Sequence, residues 1–173
     1  TADKIGTSLP STRTDSNTIQ ITNLASHRLY KEVENAIIEK NGKIKYTVVY
    51  ENKTEDPVPE FQLLDVLPYN GDNRGTNFKG TYTLESINIQ QKVNGAVQST
   101  NNLKLYTTNS TTVRNMTAKD DGIGTDNIWA EKTIGSSLNE SVTGIAVKAQ
   151  IAGKIRLEIE ITLQTQNNEA KDI

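Results

Sequence analysis

With 173 residues, 34% of them hydrophobic, the chain suits one domain of ordinary to large size, and about 150 residues of regular alternation suffice for a core. Nineteen basic residues against 21 acidic ones, evenly spread, leave a net charge of −2 and no basic block, which excludes a surface built to neutralise nucleic-acid phosphates or anionic lipid. Cysteine is absent, so disulfides and thiolate metal sites are excluded, and no apolar run approaches the roughly 20 residues needed to cross a bilayer as a helix.

Residues 1–17 are polar around a lone Pro10 and read as a linker or lead-in, leaving 18–173 as a single domain. TIQITNL, Thr18 to Leu24, alternates weakly and predicts a first edge strand. In RLYKEV, Leu29, Lys31 and Val33 share one parity, and the turn Lys40-Asn41-Gly42 follows. KIKYTVVYE, Lys43 to Glu51, is the cleanest strand: Ile44, Tyr46, Val48 and Tyr50 face one way, with Val49 as the one apolar residue on the polar side.

After a loop with two prolines comes FQLLDVL, in which Phe61, Leu63, Asp65 and Leu67 share a face. An acid aimed at a hydrophobic layer is either a paired structural group or a chemical one. Pro68 stops this strand, Asn70-Gly71-Asp72 turns the chain, and alternation resumes from Tyr82 to Ile89. A turn at Asn94-Gly95 and a short strand from Leu103 to Thr107 precede an irregular polar stretch, 109–126, with Trp129 expected to anchor it to the core. Val142 to Gln150 and Lys154 to Thr165 read as a closing hairpin-like pair turned at Ala152-Gly153. No segment carries a long 3.6-residue period. The pattern predicts an all-β, immunoglobulin-like antiparallel β-sandwich of about seven to nine strands.

Chemistry-bearing residues are few. Asp120, Asp121 and Asp126 beside two glycines offer oxygen ligands for calcium, but without the alternating order and closing Glu of a helix-loop-helix site; a solvated loop is the alternative. His27 is the single histidine, and no Gly-x-Ser-x-Gly elbow or phosphate-binding loop occurs, so an enzyme acting on an external substrate is not expected, nor is an organic cofactor. Lys31 and Asp65 both lie in the apolar parity of their strands. A buried salt bridge, a lysine reaching out along the sheet edge, and a covalent role all remain open for them.

LYKEVENAIIEKNGKIKYTVVYEN, then FQLLDVLPYNGD, then TGIAVKAQIAGKIRLEIEITLQTQNN resembles the immunoglobulin-like repeat domains of Gram-positive cell-surface proteins, including collagen-adhesin second-domain types and some pilins. The resemblance covers Leu29 to Asn168. It implies a non-enzymatic structural or adhesive module of a cell wall-anchored parent protein, extracellular, with adjacent domains of the same chain and a host extracellular-matrix protein or other surface ligand as partners. Many such domains form an isopeptide bond between a lysine and an asparagine, assisted by an acid. Carried over, the lysine is Lys31 and the acid Asp65, with Asn168 the late candidate asparagine and the last strand truncated. A neutral amine would attack the amide carbonyl while a protonated carboxyl polarises it, and the only catalysis is this self-directed cross-linking. A carbohydrate-binding module and a pilus or surface-layer subunit are the rival readings.

Overall fold

The computed structural model describes residues 26–34, 39–72, 79–117, 119 and 122–168. The expected lead-in over 1–17 and edge strand over 18–24 lie outside these residues. Among the described residues the chain is mostly strand, with ten strands in two antiparallel sheets, an all-β sandwich. The strands are β1 (His27–Val33), β2 (Lys43–Asn52), β3 (Val58–Val66), β4 (Thr81–Val93), β5 (Ala96–Gln98), β6 (Leu103–Thr108), β7 (Ala130–Lys132), β8 (Ser137–Glu140), β9 (Gly144–Ile151) and β10 (Ile155–Gln166). No described helix is long and apolar enough to cross a membrane.

The first sheet runs β1-β2-β10-β4-β5, with β8 also pairing β4; the second runs β3-β9-β6-β7. Alternation supplies the inner faces. Along β10, Ile155, Leu157, Ile159, Ile161 and Leu163 are 3% exposed or less, while Glu160 between them is open to water. From β2, Tyr46 and Val48 join them; Phe61 and Leu63 of β3 and Ile145 and Val147 of β9 face them from the second sheet. At Asn94-Gly95 both residues have positive φ (50° and 86°), the conformation a two-residue hairpin between β4 and β5 demands.

Alternation assigns faces, and connectivity departs from it in one place. β9 and β10 are not a hairpin, because β9 lies between β3 and β6 while β10 lies between β2 and β4. The Ala152-Gly153 turn therefore carries the chain from one sheet to the other. Strands β2 to β10 pass between the sheets along a double-Greek-key path. The long strands match the alternating stretches, and three- or four-residue β5, β7 and β8 bring the number to ten.

Two outer layers complete the molecule. Val49, on the wet side of β2, is 1% exposed because Tyr30, Glu51 and Arg156 cross over it: Arg156 Nη1 donates to the Tyr30 hydroxyl at 2.9 Å and to Glu51 Oε2 at 3.1 Å. On the outer face of the second sheet lies the segment after β6, including a 3₁₀ turn over Thr111–Asn115; its Val113 and Ile123 are fully buried, and Lys148 Nζ donates to the Ile123 carbonyl at 2.7 Å.

Candidate functional site

The candidate site lies where the edge strands of the two sheets meet. β1 closes one side of the first sheet and β3 the same side of the second. In the β1–β2 register Lys31 is opposite Val48 and Val33 opposite Tyr46, so Lys31 and Tyr46 are diagonal neighbours on the inner face. Asp65, opposite Ile145 of β9, points inward from β3 and is 8% exposed. Its two oxygens are divided between two donors. Lys31 Nζ donates to Oδ1 at 2.8 Å, and the Tyr46 hydroxyl donates to Oδ2 at 2.9 Å. The Lys31 ammonium also stands 4.6 Å from the centroid of the Tyr46 ring, within cation–π range.

Exposure is unequal across the pair. The Lys31 side chain is 46% exposed and that of Asp65 10%. Nearly half of the Lys31 side chain is open to water, whereas the Asp65 carboxylate is almost fully enclosed. Burial, and next the charge of Asp65, push the Tyr46 hydroxyl well above the ordinary tyrosine value, so it remains a donor. Tyr82 is also pushed up, by burial first; Arg114 opposes this, and Asp65 and Asp72 add to it. Its hydroxyl donates to the Pro68 carbonyl at 2.9 Å, which pins the chain just after β3.

Asn168 does not join Lys31 and Asp65. Lys31 is level with Val48 and, across β2, with Ile159, whereas Asn168 lies nine residues further along than Ile159, on the order of 25 Å away. There it is 1% exposed and accepts the Asn41 N–H at 3.1 Å, while Asn41 Oδ1 accepts the Asn167 N–H at 3.0 Å. This reciprocal clamp ties the end of β10 to the turn before β2. Of the calcium candidates, Asp120 and Asp121 lie outside the described residues, and Asp126 is exposed with its N–H donating to the Gly122 carbonyl at 2.9 Å. Among the described residues no three His, Cys, Asp or Glu side chains group to hold a metal.

Sequence reasoning placed Tyr46 inward without seeing it as the partner of Asp65. The signal was present: an inward tyrosine on a neighbouring strand needs an acceptor, and Asp65 was the one inward acid. A half-open depression on β3 and β9 is lined by Glu60, Gln62, Lys119 and Lys148. Compared with known proteins, the chain matches no family model, no curated protein and no solved structure.

Proposed function

We propose that the chain is a non-enzymatic structural or adhesive module of a bacterial cell-surface protein, which holds a surface or a neighbouring domain outward and resists unfolding. The observation that carries this reading is the Lys31–Asp65–Tyr46 cluster, a charged tie across the edge of a sandwich whose core cluster is apolar. The cluster supplies an amine and an acid at hydrogen-bond distance, the first two members of a Lys–Asp–Asn cross-linking set. With Asn168 committed to the Asn41 clamp and Lys31 half in water, the tie we assign within this chain is ionic.

Intact mass tests the assignment: the measured value should equal that of the sequence. A deficit of about 17 Da, the ammonia released by a Lys–Asn bond, would show a covalent tie instead. The carbohydrate-binding alternative is disfavoured because the large hydrophobics exposed among the described residues are Leu29, Val33 and Val97, none of them aromatic. Screening the chain on matrix-protein and glycan arrays separates the readings. Matrix binding supports adhesion, silence on both supports a spacer, and glycan binding refutes the proposal.

A further inference from the structure

Among the described strands β1 has one neighbour, β2, and its other edge is open. Two backbone contacts fix which groups face that edge. Glu34 donates its N–H to the Lys45 carbonyl at 3.0 Å, and the Ser26 carbonyl accepts the Lys53 N–H at 2.8 Å. Even-numbered residues of this stretch therefore aim their N–H and C=O at β2, and Leu29, Lys31 and Val33 aim theirs outward. The side chains of the same three residues share the inner face, opposite Tyr50, Val48 and Tyr46. Yet Leu29 is 64% and Val33 59% exposed, against 5% for Val48 and 6% for Tyr46. Outward backbone groups and uncovered apolar side chains coincide on one strand, the combination that invites another strand.

We infer that the occupant is β1 of a second copy, antiparallel to the first about a two-fold axis at Lys31. The strand selects it by being its own complement. In that register Leu29 lies opposite Val33 of the second copy, Lys31 opposite Lys31, and Val33 opposite Leu29. The outward groups then meet as hydrogen-bonded pairs, with two N–H···O bonds in each. On the inner side apolar meets apolar at both ends. On the outer side Arg28 faces Glu34 of the other copy twice, and these side chains are 50% and 56% exposed. A shift of two residues either way keeps the backbone match but sets Lys31 against Leu29 or Val33, so apolar pairing selects one register. Lys31 against Lys31 is the one like-charged pair, and each ammonium is neutralised by its own Asp65 at 2.8 Å. The arrangement closes at two copies and continues the first sheet through both. With seven residues a side the contact is small, which gives a dimer of micromolar rather than nanomolar affinity.

Sedimentation of the full chain from about 1 μM to about 1 mM tests this, a range that brackets micromolar association. The weight-average mass should rise from 19.1 kDa toward twice that value and stop there. Arg28→Glu and Glu34→Arg should each weaken association about 10-fold, since each sets like charges opposite one another across the two-fold axis. Mixed in equal amounts, the two variants should recover the association of the parent chain, because each supplies the charge the other needs. A variant that had merely lost β1 could not be rescued in this way. A parent chain that stays at 19.1 kDa overturns the proposal. So do growth beyond the dimer, single variants that associate like the parent, and a mixture that stays monomeric.

Discussion

Asp65 has two donors of unequal weight. The Tyr46 hydroxyl is buried and has no water to turn to, so removing its acceptor costs the desolvation of that group, about 2–3 kcal/mol. Lys31 is half in water, and an ion pair so exposed contributes about 1 kcal/mol or less. Asp65→Ala should therefore lower unfolding stability by about 2–3 kcal/mol, and Lys31→Met, which keeps the aliphatic stem over the Tyr46 ring, by about 1 kcal/mol or less. Urea unfolding of the two variants checks the order. Were Lys31→Met the more damaging, the charge pair and not the tyrosine hydrogen bond would be what makes an inward acid tolerable. The parity of both residues was legible in the sequence, since strict alternation of Phe61, Leu63, Asp65 and Leu67 puts all four inside. The uneven exposure was not, because it depends on how far the opposite sheet extends beneath β1.

At the scale of elements, the segment between β6 and β7 shows what periodicity misses. It reads as irregular and polar, and most of its residues are; Val113 and Ile123, isolated among polar neighbours, are nevertheless fully buried on the outer face of the second sheet. Gly144 makes this possible: a Cβ there would stand 2.9 Å from Val113 Cγ2 and 3.3 Å from its Cγ1. A glycine inside a strand costs about 0.5–1 kcal/mol relative to alanine, a cost the close approach must outweigh. Gly144→Ala should push the 3₁₀ turn off the sheet and destabilise the protein by about 1–3 kcal/mol, as overpacking at a β-branched neighbour does. Trp129, the only tryptophan, closes this segment, its backbone N–H donating to the Asp126 carbonyl at 3.1 Å, and its emission should shift to the red if the layer loosens. Unchanged emission and stability would mean that Val113 can slide aside without cost. Long strands such as β2 and β10 were legible from alternation alone, whereas β5, β7 and β8 are too short to carry a pattern. The sheet each strand joins is decided by long-range packing, which is why β9 and β10, consecutive and both alternating, were expected as a hairpin and instead lie in different sheets.

For the whole molecule, the position of β10 governs folding. It is the last described strand and the central one of its sheet, pairing β2 on one side and β4 on the other. Gln164 of β10 donates to the Gly42 carbonyl just before β2, across 122 residues of chain. Neither β2 nor β4 has its principal neighbour until β10 arrives, so the large loop-closure entropy comes before most of the burial is gained. Such a topology should fold on the millisecond-to-second scale rather than in microseconds. Ile161, fully buried between Tyr46 and Ile87 in the register, should cost about 2–5 kcal/mol when replaced by Ala. Because β10 must dock for the first sheet to exist, much of that loss should fall on the folding rate; Val113→Ala in the outer layer should mainly speed unfolding. Chevron plots of the two variants measure the partition. Should Ile161→Ala leave the folding limb unmoved, the rate-limiting event lies among β3, β6 and β9, and the second sheet, not the first, nucleates the sandwich.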